Sequence, residues 1–120
     1  MHVEVFEAYK LVAEFDVDTR LRSVSNYKKY TNDWLLWPFT KKDIVDYEHF
    51  IGFLETRCPD RNRDNLKELL RDWGIFEFDP IAIIRITHGL SFDDWTWIRF
   101  EGDDATYDSI KVRTDLPADI

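Results

Sequence analysis

Four residues punctuate the middle of this chain: Pro59, Gly74, Pro80 and Gly89. Apolar repeats at three- and four-residue spacing begin or run out at these points, so the stretch divides into three helices that cannot merge. The first carries Ile44, Tyr47, Phe50, Ile51 and Leu54 on one stripe. It is expected to open at Thr40, with Asp43 three places on as a weak capping box, and to end by about Arg57, ahead of Pro59. Asp60 is placed to cap the second, whose stripe of Leu66, Leu69, Leu70 and Trp73 is stopped by Gly74. Asp79 caps a short third helix with Pro80 as its first helical residue. That helix holds Ile81, Ile83, Ile84 and Ile86 and stops at Gly89. Ile83 falls off a simple stripe, which implies cover on more than one side.

The flanks follow a different period. Val3 and Val5 alternate with Glu4, and Leu11, Ala13, Phe15 and Val17 alternate with Val12, Glu14 and Asp16, the period-2 signature of strands with one buried face. A turn is expected at Asp18-Thr19, with Arg20 to Val24 returning antiparallel. Ser25 to Asp33 is polar and reads as a loop. In the apolar run Trp34 to Phe39, Pro38 holds Trp37 extended, so the run reads as a strand end or packed connection. Beyond Gly89, Ser91 to Asp94 reads as a capped turn. Trp95, Trp97 and Ile98 lead into a strand ending at Phe100. Glu101 to Asp104 is a turn, Tyr107, Ile110 and Val112 form a last short strand or turn of helix, and the chain end from Leu116 should fray.

These elements predict one α+β domain over residues 1–120: a small antiparallel sheet, from an N-terminal hairpin plus C-terminal strand residues, packed with three helices. Five Trp, five Tyr and nine Phe against four Gly and one Met imply a core filled by large flat side chains. No apolar run approaches a membrane span, and the alternating, acid-bearing N-terminus is neither a signal nor a transit peptide, so a cytoplasmic protein is expected. Cys58 is the only cysteine, which excludes an intrachain disulfide. The formal charge of −8 disfavours direct binding to nucleic acid or an anionic membrane.

Catalytic and cofactor chemistry finds little to use. The four glycines are isolated, so no phosphate-cradling loop exists. His88, Ser91 and Asp93 lie close in sequence, but a helix-end histidine and turn residues account for them, and no strand–turn–helix nucleophile elbow surrounds them. Asp93-Asp94, Asp103-Asp104 and Asp108 miss the alternating calcium-loop spacing. His2, His49 and His88 have no zinc-spaced companions. Neither a cofactor nor a metal is expected, and the chain is not expected to be an enzyme.

Two features exceed what folding asks. Arg61 and Arg63 would stand in the first turn after the Asp60 cap, where positive charge opposes the helix dipole. With Arg57 they form a guanidinium patch, with Lys67 and Arg71 further on, suited to an acidic partner or phosphate. The second feature is the corner formed by Asp93, Asp94, Trp95 and Trp97.

The segments RCPDRNRDNLKELLRDWG and THGLSFDDWTWIRFEGDDATYDSI carry a resemblance. Together they resemble the region that precedes the kinase domain in HipA-like serine/threonine kinase proteins of Gram-positive bacteria. That region is similar in having a helix ending in Arg, a Pro- and Arg-containing link, and a Gly-Leu-Ser-x-x-Asp-x-x-Trp corner before a strand. The matching positions are Arg57, Arg61, Asn62, Arg63, Gly74, Gly89, Leu90, Ser91, Asp94 and Trp97. Pro59 stands one place earlier than the pattern, with Asp60 in its stead. These 120 residues hold no kinase domain, so the resemblance implies a regulatory module without kinase activity.

Two function classes follow. The first is a non-catalytic protein-interaction module whose partner is another protein, a kinase or a nucleic-acid-binding enzyme, contacted through Arg57, Arg61, Arg63 and the Asp93–Trp97 corner. The alternative is a small acidic phage-type inhibitor of a nucleic-acid enzyme, of the anti-CRISPR or DNA-mimic kind. It would set Asp93, Asp94, Asp103, Asp104 and Asp108 where phosphates would lie.

Overall fold

The computed structural model describes residues 1–31 and 46–116. Four antiparallel strands form one sheet in the order β3-β2-β1-β4. They are β1 (His2–Glu7), β2 (Lys10–Asp18), β3 (Ser23–Lys29) and β4 (Thr96–Phe100). The helices are α1 (Tyr47–Thr56), α2 (Leu66–Asp72), α3 (Pro80–Thr87) and the single turn α4 (Tyr107–Ile110). This is the α+β class expected of the sequence. Among the described residues, no helix is long and apolar enough to cross a membrane.

The N-terminal region makes three strands where one hairpin was expected. A tight turn at Ala8 and Tyr9 separates β1 from β2, with Ala8 at φ 50. No Gly or Asn marks it. It is held instead from outside, because the Ala8 N–H donates to the Trp95 carbonyl at 2.9 Å and the Ala8 carbonyl accepts from the Trp97 indole at 2.8 Å. The turn after Asp18 starts where the sequence placed it, with Asp18 Oδ1 accepting from the N–H groups of Arg20 and Leu21, but it runs through Arg22, so the returning strand expected from Arg20 begins only at Ser23. The expected loop from Ser25 is corrected as far as Lys29, which is the polar edge strand β3. An edge strand pairs on one side only and tolerates polar residues on both faces, so its sequence looks like a loop.

Register fixes what each face carries. Val3 pairs with Phe15 and Phe100, and Val5 with Ala13 and Ile98, so these residues share the face that packs on α1 and α3. Pairing skips a residue at Val12, where Val5 opposes Ala13 and Phe6 opposes Leu11, a bulge that buries two successive residues of β2. Tyr47, Phe50, Phe53 and Leu54 of α1, with Ile84 of α3, complete that core. Ile83 is fully buried as well, consistent with cover on more than one side. The opposite face is apolar at one end, where Phe6, Ala8 and Trp97 lie under Tyr107. At its other end it carries His2, Glu4, Glu14, Asp16 and Arg99.

Helix starts divide the expectations. Asp79 caps α3 as read, accepting from Ile81 and Ala82, and His88 (φ 58) and Gly89 (φ 67) turn the chain at its end. Asp46 caps α1, accepting from the His49 N–H at 2.8 Å. Thr40, Asp43, Ile44 and the Trp34–Phe39 run lie outside the described residues. Asp60 does not cap α2: its carboxylate accepts from the Asn62 N–H at 2.8 Å, forming a local turn, and the helix begins only at Leu66. Asx side chains serve turns and caps with the same bond, so spacing alone could not separate the two. Tyr107 to Ile110 takes the helical of its two expected forms.

Candidate partner-binding groove

Arg57 ends α1 and turns its side chain inward, leaving it 11% exposed. Its guanidinium grips the corner at four points. Nη1 donates to Asp94 Oδ2 at 3.0 Å and Nη2 to Asp94 Oδ1 at 2.6 Å, a two-pronged pair that a planar fork makes well. Nε donates to the Gly89 carbonyl at 2.6 Å and Nη2 to the Thr96 carbonyl at 3.2 Å. Gly89 must be glycine here: its φ is +67, and a Cβ would stand 3.3 Å from both Arg57 Nε and Ile98 Cδ1. The Arg57 link and the Asp94 corner, 37 residues apart, are therefore locked together.

Between them lies a groove of about 660 Å³. Cys58, Pro59, Trp73, Leu90 and Phe92 supply its apolar surface, with Arg63 and Asp93 also on its lining. Phe92 is 76% exposed. Burial pushes the Cys58 thiol up to about 11, outweighing the nearby Arg61, so this cysteine is protonated at neutral pH.

The remaining predicted residues separate. Arg61 lies over the Phe78 ring at 4.1 Å and pairs with Glu55 at 3.3 Å. Arg63 donates to Asn65 Oδ1 at 2.7 Å and has no carboxylate partner among the described residues. Neither sits in a helical first turn, since α2 starts only at Leu66, so neither opposes the helix dipole. Trp97 is 1% exposed, stacked on Phe6 at 4.4 Å, and offers a partner nothing; it is a core anchor. Trp95 is half-buried, its indole donating to the Asp115 carbonyl at 3.0 Å and its ring under Arg113 at 4.0 Å.

Of the five predicted carboxylates, three are engaged within the chain. Asp94 holds Arg57, Asp103 bonds His88 Nε2 at 2.8 Å, and Asp108 accepts from the Tyr9 hydroxyl and Lys111. Asp93 and Asp104 are exposed. His88 is thus committed to Asp103, while the Ser91 hydroxyl accepts from the Asp93 N–H at 3.1 Å.

Burial pushes the Asp103 carboxyl up, but the Ala105 N–H, the His88 bond and the charges of His88 and Arg99 outweigh it and hold it below the usual range. A depressed carboxyl contributes stability that is present above its unfolded value, near pH 4, and lost as pH falls through the lower folded value. Asp103→Asn should therefore flatten the loss of urea midpoint between neutral pH and pH 3. An unchanged acid slope would show that Asp103 contributes nothing to it.

Sequence reading missed Phe92, Trp73 and Leu90 as groove residues. An unsupported Phe inside the polar turn Ser91–Asp94 was the available signal. Compared with family models, curated proteins and solved structures, the chain matches none.

Proposed function

We propose that this chain is a non-catalytic protein-interaction module that docks an acidic segment of a partner protein in the groove and thereby modulates that partner. The observation that carries this reading is Arg63, a cation with no carboxylate partner among the described residues, lining a groove with the apolar residues Leu90, Trp73 and Phe92. An apolar side chain flanked by Asp or Glu fits that chemistry: the apolar group covers Phe92 while the carboxylate meets Arg63. Lys67 and Arg71 on α2 are exposed and likewise have no ion-pair partner among the described residues, which extends positive charge beyond the groove. The net charge of −8 argues against nucleic acid as the occupant. By analogy with the region preceding HipA-like kinase domains, a kinase is the partner class to test first.

The DNA-mimic alternative draws less support, because Asp94, Asp103 and Asp108 are already spent on Arg57, His88, Tyr9 and Lys111.

A photo-crosslinking residue at position 92 tests the docking site. It should label one host protein in a manner competed by unlabelled chain, whereas the same residue at Leu21, exposed between β2 and β3, should not. Equal labelling from both positions would speak against the groove.

A further inference from the structure

The polar end of the sheet's outer face carries a second cluster, built by strand register and separate from the groove. β1 and β2 pair His2 with Asp16 and Glu4 with Glu14, so these four side chains rise from one face. His2 Nδ1 lies 2.8 Å from Asp16 Oδ1, and Asn26 Nδ2 donates to Asp16 Oδ2 at 2.7 Å. In the tautomer that donates Nδ1–H to Asp16, Nε2 presents its lone pair to the cluster. That nitrogen faces Glu14 Oε1 at 3.8 Å, and one ligand atom each from His2, Glu4 and Glu14 lie within 4.8 Å of one another. A lone pair and two carboxylates so close together make a donor set that a divalent cation takes.

We propose that His2 Nε2, Glu4 and Glu14 form a binding site for a first-row divalent transition cation, with Zn²⁺ the best-fitting case. One imidazole nitrogen and two carboxylate oxygens suit zinc or its neighbours better than calcium or magnesium, which take oxygen alone. Zinc bonds of about 2.0–2.2 Å in a tetrahedron keep ligand atoms about 3.4 Å apart. The 3.8 Å approach of His2 to Glu14 is already near that spacing, and the three side chains, each partly exposed, can close the rest. Asp16 is a positioning residue: a carboxylate behind a ligating histidine fixes its tautomer and ring orientation.

The charges around the cluster leave room for the ion. Arg99 contacts Glu4 through Nε and Nη2, both on Oε1 at 2.9 Å, so Oε2 is not taken by it. Lys28 stands opposite Glu14 in the ladder, and the Tyr30 hydroxyl bonds to Glu14. The Met1 ammonium is a third cation nearby and acts on Asp16. Sequence spacing could not show this site, because its ligands come from two strands joined only by register.

The test is calorimetric titration of the untagged full chain with Zn²⁺ at pH 7.5, with Mg²⁺ as comparison. Expected is one Zn²⁺ per chain, weakened about tenfold or more by His2→Gln and by Glu14→Gln, and about tenfold by Asp16→Asn. His49→Gln and His88→Gln, which alter the other two histidine–carboxylate pairs, should leave binding intact. Urea midpoints establish that each variant is folded. Absence of stoichiometric binding at tens of micromolar zinc would overturn the proposal. So would binding that His2→Gln and Glu14→Gln leave unchanged, or Mg²⁺ binding as tight as Zn²⁺.

Discussion

Trp97→Ala is expected to lower the unfolding free energy by about 3–5 kcal/mol, the range for deleting a buried large aromatic. The residue is 1% exposed, stacked on Phe6, and its indole N–H closes the Ala8 turn. Deletion therefore empties the outer core and also leaves the Ala8 carbonyl without its donor, while Ala8 itself holds an unfavourable φ of 50. Trp97→Phe separates the two effects. It keeps an apolar ring against Phe6 and should cost less, with the unmet carbonyl contributing about 1–3 kcal/mol. Urea unfolding checks both, and a loss below about 1 kcal/mol for Trp97→Ala would mean the site collapses around the missing ring.

Arg57→Ala is the second large effect, expected to destabilise by about 3 kcal/mol. The guanidinium is nearly buried, and its removal takes a donor from the Gly89 and Thr96 carbonyls and leaves the Asp94 carboxylate with the Thr96 N–H but without its cation. Part of the penalty is relieved because the Asp94 side chain is 40% exposed and water can reach it. Arg57→Lys keeps the charge but cannot fork onto two oxygens while also reaching two carbonyls, so it should rescue less than half of the loss. A double-mutant cycle with Asp94→Ala should give a coupling of about 1–3 kcal/mol. Additive losses would show that the pair is not a coupled unit. Because Arg57 ties the 57–63 link to the 89–96 corner, its loss should also widen the groove.

How much of this was legible depended on the range over which each residue acts. Asp79, Pro80 and Gly89 work on their immediate neighbours, and α3 begins and ends where they dictate. The alternation from Val3 to Val17 marked strands because each strand presents one face to helices. The Ala8 turn was illegible because its stabilising partners, Trp95 and Trp97, lie nearly ninety residues away. Asp60 offered the same bond to a turn as to a helix, and the turn took it. Edge strand β3 carried no apolar alternation, since only one of its sides is paired.

The candidate site divided along the same line. Arg57, Asp94 and Trp97 were expected to meet a partner, but what the structure shows of them is internal: two form the clamp and one anchors the core. Charge and ring type are visible in a sequence, whereas the direction of a side chain is not. Arg63 and Asp93 remain at the groove, joined there by Phe92, Trp73 and Leu90.

The most direct measurement is the affinity of the protein labelled from position 92 for the wild-type chain and for Arg63→Glu, followed across salt concentration. Arg63 is exposed and contributes no ion pair among the described residues, so the variant should fold with an unchanged urea midpoint. Docking of an acidic segment predicts binding at least about tenfold weaker, roughly 1.4 kcal/mol, with a shallower salt dependence. Equal affinity and an unchanged salt slope would contradict a role for this groove in holding a partner.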